Sequence, residues 1–170
     1  MPVIQRKICL LGEFAVGKTS LIRRFVHNRF EADYLATIGV HISRKEVVLP
    51  EHDTTVVLVL WDLSGGEMAS SLEEAYYRGG AGALLVADVL RPDTVAVLNT
   101  YAMTYTRINP GAALVFACNK MDLVPDETPY RLKLAEIAQR WRAPFFLTSA
   151  RDGRGVEDAF RALAYLVARR

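Results

Sequence analysis

Short apolar runs recur along the chain at Lys7–Leu11, Val56–Trp61, Ala83–Val89, Leu114–Cys118 and Phe145–Leu147. They are apolar at nearly every position rather than at alternate ones, the pattern of strands covered on both faces of a mostly parallel sheet. Between them lie stretches with helical spacing: Lys18–Val26, Thr94–Arg107, Pro129–Trp141 and Val156–Val167. In the last, Val156, Phe160, Leu163, Tyr165 and Val167 form one broad apolar stripe, with Glu157, Asp158 and Arg161 elsewhere. Val40–Leu49 differs. It alternates, and it meets Val56–Trp61 across Pro50-Glu51-His52-Asp53, which predicts an antiparallel hairpin adding one edge strand. Strand–helix alternation then gives an α/β, doubly wound domain over residues 1–170, a six-stranded, mostly parallel sheet with helices on both faces. Ligands in such folds sit beyond the carboxyl ends of the strands, so chemistry is expected in the residues that follow each strand.

Composition narrows the partners. Lys+Arg 21 against Asp+Glu 19 leaves a net charge of +2, too balanced for a nucleic-acid binder held by a basic face. A hydrophobic share of 51% against 24% charged supplies a real core and excludes disorder. Cys9 and Cys118 both lie in apolar runs, which predicts buried free thiols in a reducing compartment. No signal peptide, long apolar span, N-terminal glycine or C-terminal cysteine is present, so the expectation is a cytoplasmic domain with no membrane anchor in this chain.

After the first strand comes Gly12-Glu13-Phe14-Ala15-Val16-Gly17-Lys18-Thr19, a G-x-x-x-x-G-K-[ST] loop between strand and helix. Its glycines allow a tight turn whose amides face phosphate oxygens, and the helix that follows offers its positive end to the same anion. Lys18 would neutralise the β- and γ-phosphates, and the Thr19 hydroxyl would ligate Mg²⁺. A glycine turn with a surface lysine is the plainer alternative; the strand before and the helix after argue against it. Trp61-Asp62-Leu63-Ser64-Gly65 ends another strand. A carboxylate ending an apolar strand is costly unless it is paired or near a cation, so Asp62 is expected to hold Mg²⁺, through a bound water. Gly65 lets the backbone approach a γ-phosphate. Alone, D-x-x-G is an ordinary turn, and only the phosphate loop gives it weight.

The fifth strand ends in Asn119-Lys120-Met121-Asp122. A carboxylate there accepts two hydrogen bonds from guanine N1–H and the exocyclic amine. Adenine has neither donor in place and would leave the carboxylate unpaired. Asn119 would tie base and phosphate loop together, and the Lys120 stem would cover one face of the ring. Thr148-Ser149-Ala150 ends the sixth strand, with the Ala150 N–H able to meet guanine O6. The expected nucleotide contacts also include Glu13, Phe14, Ala15, Val16, Gly17, Ser20, Ser149 and Arg151.

These motifs, in this order over nearly the whole chain, resemble the Ras superfamily of small GTPases. Thr37-Ile38-Gly39-Val40 and Tyr76-Tyr77-Arg78-Gly79 look most like its Rab branch. The resemblance implies a P-loop G domain that binds GTP or GDP with Mg²⁺ and hydrolyses GTP. It implies that Thr37 reaches Mg²⁺ and the γ-phosphate in the GTP state, that Phe30 packs on the guanine, and that Tyr34 lies over the phosphates. Residues 31–40 and 64–78 would be the switches that bind effectors, exchange factors and GTPase-activating proteins. Lys18, Thr37, Gly65 and Gly66 would stand at the reacting phosphate.

Two positions depart from the family pattern. Gly66 stands where a glutamine usually orients the attacking water, and Phe14 where a small residue usually faces the γ-phosphate. Orientation and arginine-finger effects in this family's chemistry reach about 10³–10⁵ in rate. Slow hydrolysis is therefore expected, and a GTP-bound interaction module that hardly hydrolyses is the alternative. An ATP-dependent P-loop kinase would gain nothing from Asn119-Lys120-Met121-Asp122. His27, His41 and His52 are scattered, without acidic partners at ligand spacing, and read as structural or surface residues. Asp88 reads as a cap near Arg91-Pro92-Asp93, competing with any functional role.

Overall fold

The computed structural model describes residues 1–30, 39–63 and 70–170. Tyr34, Thr37, Gly65 and Gly66, with most of the first expected switch and the first six residues of the second, lie outside the described residues. Among the described residues six strands form one sheet: β1 (Val3–Leu11), β2 (Val40–Leu49), β3 (Thr54–Leu63), β4 (Gly82–Asp88), β5 (Ala113–Asn119) and β6 (Phe145–Leu147). Their order is β2-β3-β1-β4-β5-β6. Only the β2–β3 pair is antiparallel, and the hairpin turns through a 3-10 turn at Pro50–His52, with Asp53 in the left-handed region at φ 47°. Every other pairing is parallel, as the continuous apolar runs predict.

The helices are α1 (Lys18–His27), α2 (Ser70–Tyr77), α3 (Pro92–Ala96), α4 (Leu98–Ile108), α5 (Thr128–Arg140) and α6 (Val156–Ala168). Because successive side chains on a strand point to opposite faces, β1 feeds two cores. Ile8 and Leu10 join Leu21, Ile22 and Phe25 of α1 and Phe160, Leu163 and Val167 of α6. Cys9 and Leu11 join Tyr77, Leu98, Ala102, Tyr105, Leu134 and Ala138 from α2, α4 and α5. Phe25 and Phe160 stack at 4.2 Å, locking α1 to α6 on the first face.

Three readings change in detail. The helix expected over Thr94–Arg107 is two, interrupted at Val97, whose φ of −81° and ψ of −8° lie at the edge of the helical region. Helix α2 falls where the sequence gives only part of the expected second switch and no helical stripe. Tyr165 leaves the apolar stripe of α6. It packs instead on the His52 ring at 4.6 Å and lies under the Arg169 guanidinium, which makes His52 a structural residue as expected. Trp141 is also a packing residue, its indole N–H donating to Asn99 at 3.0 Å.

Cys9 and Cys118 are buried free thiols. Burial pushes Cys9 up to about 11 despite the Lys7 ammonium nearby, and pushes Cys118 up to about 12 with help from the Asp88 carboxylate. Thiolates are the reactive form, so neither thiol should be alkylated by iodoacetamide at pH 8 in the folded protein, and both should react on unfolding. Mass spectrometry of the quenched mixture reads this directly, and a labelled native protein would contradict it. Among the described residues no helix is long and apolar enough to cross a membrane.

Candidate functional site

The carboxyl ends of β1, β3, β4, β5 and β6 gather the expected residues at one edge of the sheet, as in-register pairs Leu10–Asp62, Asp88–Asn119 and Cys118–Leu147 require. Between β1 and α1 the phosphate loop turns on two glycines in backbone regions that side chains avoid, Gly12 at φ 146° and Gly17 at φ 105°. A Cβ on Gly12 would collide with the Val86 carbonyl oxygen, and one on Gly17 with the Asn119 amide nitrogen. Gly17 also caps α1, aiming the helix N-terminus into the loop.

Lys18 is only 7% exposed, and its ammonium donates to the carbonyls of Gly12 at 2.6 Å and Glu13 at 3.4 Å. Burial lowers its pKa to about 8, against the opposing pull of Asp62 and Glu13. A buried ammonium that meets only carbonyls among the described residues is primed for an anion. Beside it, the Thr19 hydroxyl donates to Asp62 Oδ2 at 2.5 Å. Asp62 is 3% exposed, its carboxyl is raised by burial, and its second oxygen, Oδ1, is buried without a hydrogen-bond partner among the described residues. A hydroxyl and an orphaned carboxylate oxygen side by side suit a hard, oxygen-seeking cation such as Mg²⁺. The expected metal pair Thr19 and Asp62 is therefore brought together.

The base loops are tied to the phosphate loop. The Asn119 amide donates to the Val16 carbonyl at 3.1 Å, and its oxygen accepts from the Thr148 hydroxyl at 3.0 Å and the Ala150 N–H at 3.3 Å. The N–H expected to meet guanine O6 thus also faces Asn119. Lys120, at φ 72°, sends its ammonium to the Ala15 carbonyl at 2.8 Å and to Asp88 Oδ2 at 2.7 Å. Asp122 is exposed, and its Oδ1 accepts from the Ser149 hydroxyl at 2.8 Å. Phe30, 39% exposed, follows α1, and Phe14, 45% exposed, stands at the tip of the phosphate loop. Ser20 sits half-buried in the first turn of α1.

Several supporting groups escaped the sequence reading. Arg24 of α1 donates to the carbonyls of Ala150 at 2.8 Å and Arg151 at 2.5 Å, pinning the base loop to the first helix. The Tyr101 hydroxyl of α4 donates to Glu13 at 3.0 Å, and Arg91 donates to the Phe14 carbonyl at 2.7 Å. Arg24 and Tyr101 carry no signal beyond their places on amphipathic helices. Asp88, which the sequence places as a cap near Arg91-Pro92-Asp93, accepts the Leu90 N–H and the Arg91 and Lys120 side chains. The expected partner surface is described only in part. Of it, Val40 is half-buried and Leu72 is 52% exposed; next to it, Trp61 is half-buried with the Lys7 ammonium 3.7 Å above its ring.

A family model described as Ras family matches residues 7–169. The chain is similar to the Ras-related protein Rab-7b of Bos taurus, 34% identical over 170 residues that cover 95% of this chain and 81% of that protein. The Ras-related protein Rab-4B of Homo sapiens is 35% identical over 155 residues, covering 91% of this chain and 72% of its own length. Rab7 of Drosophila melanogaster is 35% identical over 163 residues, 93% and 78% of the two chains.

Proposed function

The chain belongs to the Ras family of small GTPases and is Rab-like, and from that premise we propose that it is a Mg²⁺-dependent guanine-nucleotide switch whose own hydrolysis of GTP is slow. The observation that supports this reading most is the direct bonding of the base motif to the phosphate loop, Asn119 to Val16 and Lys120 to Ala15. A base carboxylate and a phosphate cradle held at fixed separation favour one ligand that has both ends.

The residues divide the work. The Ala15, Val16 and Gly17 amides and the Lys18 ammonium take the phosphates, and Thr19 with Asp62 would hold Mg²⁺. Bound there, Mg²⁺ would offset charge on the phosphate oxygens as the β–γ bridge breaks. Asp122 accepts the two guanine donors, with Phe30 against the ring, Tyr34 over the phosphates and Thr37 answering the γ-phosphate. In hydrolysis, water attacks the γ-phosphorus, the bond to the bridging oxygen breaks, and GDP and phosphate leave. This chemistry rests on positioning and charge stabilisation. The water is what this chain leaves unheld: Gly66 has no side chain to orient it, and the Phe14 ring crowds its approach and that of a partner's arginine. Residues 31–40 and 64–78 bind effectors while the γ-phosphate is present and release them when it is lost. Exchange factors and GTPase-activating proteins use the same segments, and a cytoplasmic setting supplies the nucleotide.

Single-turnover GTP hydrolysis tests the slow rate. Gly66→Gln is expected to hydrolyse GTP about 10- to 100-fold faster than the parent, with GDP affinity unchanged. A parent as fast as the variant would remove the proposed defect. Phe14 and Gly66 acting together favour a second reading, a GTP-bound interaction module that hardly turns over. Nucleotide extracted from freshly purified protein separates the two: predominantly GDP fits the switch, and predominantly GTP fits the module.

A further inference from the structure

We propose that Asp88 and Arg91 are positioning residues for phosphate binding, with Asp88 bracing Arg91 against the Phe14 carbonyl so that the peptide before Ala15 keeps its amide turned toward the nucleotide. The proposal rests on the nucleotide-binding reading above and goes beyond it, since neither residue belongs to the motifs that carry that reading.

Asp88 closes β4, is 3% exposed, and is fully used. Its Oδ1 accepts the Leu90 N–H at 2.9 Å, and its Oδ2 accepts both the Arg91 Nε at 3.1 Å and the Lys120 ammonium at 2.7 Å. Burial alone would raise this carboxyl, but those hydrogen bonds outweigh it and hold the group below its ordinary range. The turn that carries Arg91 is rigid. The fully buried Thr94 hydroxyl accepts the Asp88 N–H at 2.8 Å and donates to the Arg91 carbonyl at 2.6 Å, and Pro92 fixes the next φ. From that base Arg91 Nη2 reaches the Phe14 carbonyl at 2.7 Å, across 77 residues of chain.

A trans peptide is planar, with its C=O and N–H pointing in opposite directions. Fixing the Phe14 carbonyl on Arg91 therefore fixes the Ala15 N–H on the other side of the loop. Lys120 does the same for the next peptide and Asn119 for the one after. Three consecutive amides are thereby aimed together. The Arg91 plane is the one under strain, because Ala15 has φ 62°, a region costly for a residue with a Cβ. Rotation of that peptide would relieve the strain and turn the amide away, and Arg91 opposes it.

Release of a fluorescent GDP into excess unlabelled GDP tests this on the full chain. Arg91→Ala is expected to speed release about tenfold, the worth of one hydrogen bond to a charged group, and to do the same for a GTP analogue. The unfolding midpoint of the nucleotide-free protein should fall much less than that of the nucleotide-bound protein, because Lys120 and the Leu90 N–H still hold Asp88 and the released loop relaxes. Asp88→Asn should speed release further by also freeing Lys120, and the double variant should release no faster than Asp88→Asn alone. Release from Arg91→Ala at the parent rate overturns the proposal. So does an equal loss of nucleotide-free stability, which would mark a purely structural role, or multiplicative effects in the double variant. Should Asp88→Asn fail to fold, Arg91→Ala, whose side chain is 37% exposed, decides alone. A parent that binds no guanine nucleotide would instead sink the nucleotide-binding reading.

Discussion

Asp122→Ala is expected to lower GDP affinity about 10³-fold while leaving ADP affinity where it was, so that the preference for guanine nearly disappears. Two hydrogen bonds to one carboxylate, each worth about 1.5–3 kcal/mol, set that scale. The specificity comes from the mismatch as much as the match, because a site built to receive two donors is left unpaired by a base lacking them. The fold should tolerate the change. Asp122 is exposed, and the Ser149 hydroxyl that it accepts from still receives the Asp152 N–H at 3.1 Å. Parallel titrations with labelled GDP and ADP check it. A variant that discriminates as well as the parent would remove Asp122 from base recognition.

Lys18→Met should cost about as much, roughly 10³-fold in affinity for GDP and GTP, by removing one ammonium shared between phosphates while keeping the apolar stem. A second expected result separates this from general damage. The parent buries that ammonium at 7% exposure, where among the described residues it meets only the Gly12 and Glu13 carbonyls at 2.6 and 3.4 Å, and burial has already lowered its pKa to about 8. Taking a poorly compensated charge out of the interior should leave the nucleotide-free protein at least as stable. Thermal unfolding with and without GDP gives both answers. Loss of nucleotide-free stability matching the loss of affinity would mean that Lys18 serves the fold rather than the ligand.

The frame of the molecule was legible because its signals are local. Apolar runs such as Ala83–Val89 and the alternation in Val40–Leu49 differ in period, and period depends only on near neighbours along the chain. The same holds for the phosphate loop and the base motif, whose spacing is set by one turn of backbone each. Helix α2 was hidden for the opposite reason: eight residues with two adjacent glutamates and two adjacent tyrosines make a weak stripe, and its burial comes from Tyr77 meeting Tyr105 at 5.4 Å. The break at Val97 was invisible too, since the flanking residues keep helical spacing on both sides.

Residue order by itself determined the spacing of a phosphate loop after a first strand, an acidic strand end suited to a metal, a carboxylate suited to a base, and the two departures at Phe14 and Gly66. It did so because each is a chemical requirement written within a few residues. Tertiary structure alone decided which distant side chains hold those pieces in place: Arg91 on Phe14, Lys120 on Ala15 and Arg24 on Ala150, each pair 77 or more residues apart. Such partners meet only after parallel strands bring their carboxyl ends to one edge, and a hydrogen bond between residues so far apart leaves no periodic trace along the chain.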